Sequence, residues 1–470
     1  MSSVKLAIFG VVAALWAALA IAVPAQSNAQ TAADEPHYLL TAISLGEDAS
    51  LDVTDELNAQ RYRAFHKADL PRQAEAAADG SRVVPHDPAL PALLALPMRA
   101  GGWVAAKLTL AALFGVLAVA MAWTAIRRFA VPPRVALLVV ATFAAAAPLV
   151  VYGTQVYPEL LAALAVTVAI AALTAALDKR ALAVFTAAVV SLPWLSVKYS
   201  PTAAVLVAIA LWQLVREGRG GTAIALVGAL TGAAAVFAVA HFVWYGGLTP
   251  YASGYYFRTG ELGVMGTHPN YIGRSIRLVG LLFDRNFGLV VWQPAVLLAV
   301  VALTALLRRR PRHWEVLVLP LAAGWLTATF VALTMNGWWF PGRQVVHVLP
   351  CAVLSVAWLA HRDARIRPWL WVALVYGASV YLWLVVEGLV GDVTMVVDFA
   401  RLSQPAWLAL HQVLPDYRNL GAAGFMLHLS CIAVVALLVR TGWRWAADHA
   451  PAQRREPALT KSAYLEEVPA

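Results

Sequence analysis

Long apolar stretches alternate with short polar connections along most of this chain. A helix needs about 20 residues to cross the hydrocarbon core of a bilayer, and most of the stretches reach that length. The pattern predicts an all-α polytopic membrane protein with about twelve transmembrane helices, because only helices and closed barrels satisfy their backbone in lipid. The stretches lie at 4–23, 103–126, 133–151, 156–177, 181–196, 200–215, 222–245, 289–307, 315–335, 344–360, 368–388 and 420–440.

Two of these predictions have alternatives. The stretches 181–196 and 200–215 are short, with Lys198 near their junction, and they predict either two short spans or one re-entrant pair. The first stretch is either a transmembrane helix over 1–23 or a cleaved signal peptide, since Lys5 gives it a basic start and Ser27–Ala29 resembles a cleavage site. We favour the helix because the stretch has the spanning length.

Composition supports the membrane class. The chain has 470 residues, of which 61% are hydrophobic and 13% are charged, whereas soluble domains carry about 25% charged residues. This balance excludes soluble and disordered chains. The net charge of +9 does not indicate nucleic-acid binding, because the basic residues form short clusters between apolar stretches. Both cysteines, Cys351 and Cys431, lie in apolar stretches and build no disulfide framework.

The positions of the basic clusters predict the topology. Short connections containing Arg127–Arg128, Lys179–Arg180 and Arg308–Arg310 are typical of cytoplasmic loops. We therefore predict a plasma (inner) membrane protein with both termini in the cytoplasm and its long polar loops outside. The predicted organisation is a first transmembrane helix (1–23), an outer loop that contains an acidic pair (24–102), a transmembrane core (103–245), an outer loop (246–288), further transmembrane helices (289–388), an outer loop (389–419), a last helix (420–440) and a cytoplasmic tail (441–470).

The acidic pair Asp34-Glu35 stands just past the first span. The residues after it, Tyr38 to Leu45, fit a short amphipathic helix, so the pair either begins that helix or supplies a general base that deprotonates a hydroxyl. The sequence contains no phosphate-binding loop, no H-E-x-x-H and no C-x-x-C, so it supports none of those chemistries.

An acidic pair in the first outer loop of a multispanning protein resembles the GT-C superfamily of glycosyltransferases, which includes the protein O-mannosyltransferases and the aminoarabinose transferases of lipid A. Further segments are similar to that superfamily, and they are Tyr157–Glu159, Leu281–Leu289, Trp338–Arg343 and Leu349-Pro350. The resemblance implies a GT-C-like fold with a partly helical first outer loop. It also implies an enzyme that transfers a hexosyl or pentosyl group from a polyprenyl-phosphate donor.

On that resemblance Asp34 is the first choice for the catalytic base and Glu35 the second. The donor phosphate would be held by cations and neighbouring groups, for which we choose Lys198, Arg343, Tyr199 and Arg274. The alternatives are that Lys198 snorkels, that Arg343 anchors at the interface, and that Arg274, on one face of a helix over 270–282 with Arg277, meets lipid headgroups.

Five further residues are predicted to bind substrate: His86, Asp87, Tyr157, Glu159 and His268. Their alternatives are structural. The prolines that flank His86-Asp87 also suit a rigid turn, Glu159 also suits a helix cap, and His268 also suits a plain loop.

We expect no obligatory metal or other cofactor, although a divalent ion is possible. Asp52, Asp55 and Glu56 are interpreted as a solvated face. The expected partners are a polyprenyl-phosphate-linked sugar, membrane lipids and an acceptor that is a glycan, a lipid or a protein, with no nucleic acid. The rival functions are a transporter, a flippase for lipid-linked sugars, or a non-catalytic assembly partner. A transporter predicts charges and broken helices near mid-membrane.

Overall fold

The computed structural model describes residues 2–257 and 260–449, and its regular structure is helical. The last part of the predicted tail, 450–470, lies outside the described residues. The α-helices are α1 (Ser3–Ala18), α2 (Glu35–Glu47), α3 (Thr54–Asn58), α4 (Ala89–Arg128), α5 (Pro133–Ala144), α6 (Glu159–Leu173), α7 (Lys179–Leu195), α8 (Ser200–Arg216), α9 (Gly220–Tyr245), α10 (Tyr271–Arg274), α11 (Arg277–Phe283), α12 (Val296–Arg309), α13 (Glu315–Leu326), α14 (Leu349–Arg362), α15 (Arg367–Val390), α16 (Pro405–Val413) and α17 (Ala422–Asp448).

A helix lies in each of the twelve apolar stretches, but these helices differ in length. Five helical segments are long and apolar enough to cross a membrane, and they are Ala89–Arg128, Val197–Arg216, Gly220–Ser253, Ala364–Val390 and Ala422–Asp448. Five other apolar helical segments have only 10–17 residues. The chain is therefore an all-α, multi-pass membrane protein by the length and composition of its helices, while the count of about twelve spans is not confirmed.

Helix α1 packs against α4 through two glycines. A Cβ atom on Gly115 would lie 2.4 Å from the carbonyl oxygen of Gly10, so only glycine permits this approach of the two backbones. Trp16 near the end of α1 donates a hydrogen bond to the Ala145 carbonyl at 3.1 Å. These contacts fix the start of the segment 24–102, which is predicted to be the first outer loop and is called so below.

Helix α4 has two parts. It begins at Ala89, within the predicted outer loop, and its helical geometry is interrupted at Gly101 and Gly102. The φ of Gly102 is +63° with ψ −157°, a backbone conformation that essentially only glycine adopts.

Helices α7 and α8 are separate helices of 17 residues each. They are joined by Ser196 and a 3₁₀ turn over Val197–Tyr199. Lys198 therefore lies in the turn between two helices and not within either of them.

The first outer loop is built around α2, which packs against α4. The prediction of an amphipathic helix here is wrong in one respect, because every residue from Glu35 to Ser44 is buried. The reason is that the rest of the loop folds over α2. An isolated β-bridge between Ala74 and Gly254 joins this loop to the second outer loop.

Candidate functional site

A cavity of about 660 Å³ lies where the first two outer loops meet the ends of several apolar helices. Its lining brings together residues that are far apart in the sequence, including Asp34, His86, Lys198, Tyr251 and Arg343. Four of the predicted site residues that carry charge, Asp34, Asp87, Lys198 and Arg343, therefore line one cavity. The cavity is the natural place to examine their chemistry.

Asp34 stands at the N-cap position of α2, but its side chain makes no capping hydrogen bond. Its Oδ2 accepts a hydrogen bond from Nη2 of Arg343 at 2.8 Å, and its Oδ1 accepts one from Nε2 of Gln73 at 3.1 Å. A quarter of the side chain remains exposed, at 25%. The carboxylate is thus directed into the cavity and does not serve the helix end.

The electrostatics of Asp34 follow from these partners. Burial would raise its pKa, but the positive charge of Arg343 and the hydrogen bonds from Arg343 and Gln73 together hold that pKa well below its usual range. Asp34 is therefore ionised at neutral pH and able to accept a hydrogen bond from a ligand.

Arg343 joins two carboxylates and two aromatic rings. Its Nε donates to Oε1 of Glu159 at 2.9 Å while its Nη2 donates to Asp34. The guanidinium carbon lies 3.9 Å from the ring centroid of Tyr157 and 4.9 Å from that of Trp339. Stacking and two charge-assisted bonds fix the plane of the guanidinium.

Lys198 is the second cation of the cavity. Its Nζ donates to the same Oε1 of Glu159 at 2.6 Å, and 23% of the side chain is exposed. Glu159 itself is completely buried at the start of α6 and therefore binds both cations from behind the cavity lining. In this structure the carboxylate of Glu159 holds the cations, and it does not present itself to a sugar.

The turn that carries Lys198 is fixed by Asp87. Oδ2 of Asp87 accepts a hydrogen bond from the backbone N–H of Val197 at 3.1 Å, and Oδ1 lies 3.0 Å from Nε2 of His241. Both Asp87 and His241 are buried. Asp87 therefore connects the first outer loop to α9 and to the turn of Lys198.

His86 extends the polar network of Asp34. Its Nε2 lies 2.8 Å from Oε1 of Gln73, the residue whose amide donates to Asp34, and its ring stacks on Tyr38 at 4.5 Å. Burial lowers the pKa of His86, which favours the neutral ring. A neutral His86 donates to Gln73 and so orients the amide toward Asp34.

Glu35 lies outside the cavity lining, although it is adjacent to Asp34 in the sequence. It is completely buried, and its two oxygens accept hydrogen bonds from the backbone N–H groups of Ala32 at 2.8 Å and Val156 at 2.7 Å. Burial raises the pKa of Glu35. Its contacts join the start of α2 to the segment before α6.

The other predicted residues have different surroundings. Tyr157 is buried, and its hydroxyl donates to the Ala32 carbonyl at 3.3 Å. Tyr199 is also buried, with its ring 4.7 Å from that of His347, and is not part of the cavity lining. His268 is exposed.

Arg274 and Arg277 bind backbone carbonyls. Arg274 donates to Phe330 at 2.7 Å and to Met265 at 2.6 Å, and Arg277 donates to Ala332 at 2.7 Å. The prediction of one helix over 270–282 is wrong, because α10 ends at Arg274 and α11 begins at Arg277. The two arginines brace the segment that follows α13, which lines the cavity.

Several cavity residues were not predicted from the sequence, and they include Gln73, Tyr251 and Glu261. Gln73 and Glu261 lie in polar loops that carry no recognisable motif. Behind the lining, His241 offers a usable signal, since an ionisable residue within an apolar stretch is a functional candidate by default.

Comparison with known proteins gives limited information. The chain matches no protein-family model and no curated protein sequence. Among solved structures it is similar to the crystal structure of ArnT from Cupriavidus metallidurans bound to undecaprenyl phosphate, with a TM-score of 0.48 and 13% sequence identity. The match covers 94% of this chain and 78% of that one. A likeness at this level does not assign a function, which must come from the cavity residues themselves.

Proposed function

We propose that this protein is a GT-C-type glycosyltransferase that moves a sugar from a polyprenyl-phosphate donor to an acceptor hydroxyl on the extracytoplasmic face of the membrane. The observation that supports it best is the shared cavity of Asp34, Lys198 and Arg343. An ionised carboxylate and two cations in one space match the needs of the reaction, which are a proton acceptor and a site for a phosphate leaving group.

The donor phosphate would bind between Lys198 and Arg343, whose hydrogen bonds to Glu159 fix their positions. The acceptor hydroxyl would lie against Asp34. Its oxygen forms a bond to the anomeric carbon while the bond from that carbon to the phosphate oxygen breaks. The hydroxyl proton passes to Asp34, and the phosphate leaves with its negative charge stabilised by the two cations.

The low pKa of Asp34 in the unliganded protein makes it a weak base. Arg343 is the main positive charge that keeps the pKa low, so the negative charge of a phosphate bound beside Arg343 would offset it and raise the pKa of Asp34. Donor binding would thereby activate the base. The ion pair between Asp34 and Arg343 supports the assignment of both residues to one reaction.

Aromatic side chains form much of the remaining cavity wall, and they are Tyr38, Tyr251, Tyr256, Phe257 and Trp339. Aromatic faces suit the apolar faces of a sugar ring and exclude water. Water exclusion favours transfer to the acceptor over hydrolysis.

The test of this function is transfer by the purified chain in nanodiscs, with a polyprenyl-phosphate sugar as donor and a membrane extract as acceptor source. Asp34→Asn keeps the volume of the side chain but accepts no proton, so we expect about a 10²–10⁴-fold loss of transfer. The matched control is Asp69→Asn, which removes a 97% exposed acid of the same loop and should leave transfer unchanged.

Near-normal transfer by folded Asp34→Asn would refute the catalytic role of Asp34. Movement of an intact lipid-linked sugar across the bilayer, with no transfer by the wild-type protein, would favour the flippase or transporter alternative.

The sidedness of the cavity needs a separate measurement. Cysteine at Ser81 or Ser253 should react with a membrane-impermeant thiol reagent in whole cells, and cysteine at Gly220 should not. The native cysteines, Cys351 and Cys431, are buried and give a low background. Labelling of cysteine at position 220, with no labelling at position 81, would show that the topology is the reverse of the predicted one. The cavity would then not face the extracytoplasmic side.

A further inference from the structure

Three carboxylates of the first outer loop converge away from the cavity. One oxygen each of Asp48, Asp55 and Glu56 lies within 4.8 Å of the other two. Asp48 follows the last residue of α2, and the other two lie in the first turn of α3. The group therefore stands where the chain turns between the two helices.

Glu56 distinguishes this group from an ordinary acidic surface. The interpretation of a solvated face is wrong for this residue, because Glu56 is completely buried. Among the described residues, no N–H or hydroxyl group donates to either of its buried carboxylate oxygens, and the polar group beside them is the carboxyl of Asp55. A buried carboxylate without a partner is strongly unfavourable, so the structure calls for a partner at this point.

The charges around the group do not supply that partner. The pKa of Asp55 is lowered chiefly by a hydrogen bond with Glu56, and burial and the same contact raise the pKa of Glu56. Arg61 contributes least to the shift of Asp55, and its guanidinium is already paired with Glu47, with Nη2 2.7 Å from Oε1. Carboxylates this close repel each other unless a proton or a cation lies between them. The requirement is thus for a shared proton or a bound ion.

We propose that Asp48, Asp55 and Glu56 form a binding site for a divalent cation, and that the ion it fits is Ca²⁺. The three oxygens lie within 4.8 Å of one another. A cation placed at the point equidistant from them would therefore be within about 2.8 Å of each oxygen. Ca²⁺ binds oxygen at about 2.3–2.6 Å and tolerates irregular geometry, whereas Mg²⁺ requires about 2.0–2.1 Å and an octahedron. Small side-chain movements satisfy Ca²⁺, and water fills its remaining positions.

The consequence of the site is mechanical. Helix α2 has 13 residues, so the cation would lie about 20 Å from Asp34 at the other end of the same helix. Ca²⁺ would join the end of α2 to α3 and give Glu56 its missing partner. It would stabilise the loop that presents Asp34 without entering the cavity.

The experiment measures binding by the full chain, purified in nanodiscs of zwitterionic lipid after treatment with EDTA. Equilibrium dialysis with radioactive Ca²⁺ should give one ion per chain, with a dissociation constant on the order of 10⁻⁴–10⁻³ M, as for exposed extracellular sites. Asp55→Asn and Asp48→Asn should each weaken binding at least about tenfold, because each removes one charged ligand. Both side chains are exposed, so these variants keep the folded loop.

Asp69→Asn is the matched control and should bind Ca²⁺ as the wild type does. The thermal unfolding midpoint should rise with Ca²⁺ in the wild type and in Asp69→Asn, but not in Asp55→Asn. None of these readouts uses sugar transfer, so they are independent of the proposed function.

The proposal is overturned by an absence of saturable binding up to about ten times the highest expected dissociation constant, or by equal binding in Asp55→Asn. It is also overturned if Asp55→Asn stabilises the chain in EDTA while Ca²⁺ has no effect on the wild type, since that result indicates a shared proton.

Discussion

Two pairs of cations differ in what they bind: Lys198 and Arg343 line the cavity, whereas Arg274 and Arg277 lie outside its lining. Lys198 and Arg343 donate to carboxylates, those of Glu159 and, for Arg343, also Asp34. Arg274 and Arg277 donate to backbone carbonyls of the segment after α13. From the sequence alone, all four are charged residues near the outer boundary of the membrane.

The difference lies in what a ligand is able to replace. A carboxylate partner and a phosphate compete for the same donors, so Lys198 and Arg343 are able to exchange one anion for another. A backbone carbonyl that loses its arginine is left without a partner, so removal of Arg274 disturbs the fold. Cations paired with anions in a cavity are suited to binding, and cations bound to the backbone are suited to bracing.

Arg343 should show the larger effect of the first pair. Arg343→Lys keeps the charge but loses the fixed fork and the stacking, so transfer should fall about ten- to a hundredfold. Arg343→Gln also removes the charge that lowers the pKa of Asp34, so the acid limb of the profile of kcat/KM against pH should move to higher pH.

In Arg343→Lys that limb should stay close to the wild-type position. Arg99→Gln, which changes an exposed arginine, is the control and should preserve both rate and profile. An acid limb at the wild-type position in Arg343→Gln would show that Arg343 does not control the pKa of Asp34 during the reaction.

Lys198, unlike Arg343, should tolerate exchange between lysine and arginine. Lys198→Ala should lower transfer about tenfold or more, because a charge-assisted contact with phosphate is lost, while Lys198→Arg should retain most of it. The lower transfer of Lys198→Ala should appear as a higher KM for the donor, measured with equal amounts of folded protein for both variants. Equal kinetics in Lys198→Ala and the wild type would place the phosphate elsewhere.

The bracing pair should respond in stability more than in chemistry. Arg274→Gln loses hydrogen bonds to two carbonyls of separate segments, so its thermal unfolding midpoint should fall by a few degrees while kcat per folded molecule changes less than about tenfold. Arg277→Gln should behave in the same way and more weakly, because Arg277 is only half-buried. A loss of donor binding in Arg274→Gln without a loss of stability would show that Arg274 binds the donor, as is proposed for Lys198 and Arg343.

The smallest effect on transfer should come from Glu35. Glu35→Gln replaces one of two acceptor oxygens by a donor that faces a backbone N–H, so the chain should be less stable by about 1–3 kcal/mol. Its kcat per folded molecule should remain within about twofold of the wild type, in contrast to Asp34→Asn. A loss as large as that of Asp34→Asn, in well-folded protein, would make Glu35 the base.

Hydropathy predicts the helices because it is a local property. Each apolar stretch satisfies its own backbone as a helix, and a helix is present in every one of the twelve stretches. Lengths are less well predicted: α5 ends at Ala144 although its apolar stretch runs to 151, and α13 ends at Leu326, where a π-helical segment over Thr327–Val331 follows. The buried state of α2 also lies beyond hydropathy, because distant parts of the first loop cover it.

The sequence by itself determined the class of the protein, the positions of its helices and the short set of acids and cations that are able to carry chemistry. The tertiary structure decided which of them meet. Asp34 and Arg343 are 309 residues apart and form an ion pair, whereas Asp34 and Glu35 are adjacent and face different surroundings. Residue type and hydropathy are local properties of the sequence. The partner of each charged group depends on how the predicted outer loops pack over the helix ends, and no short sequence pattern determines that packing.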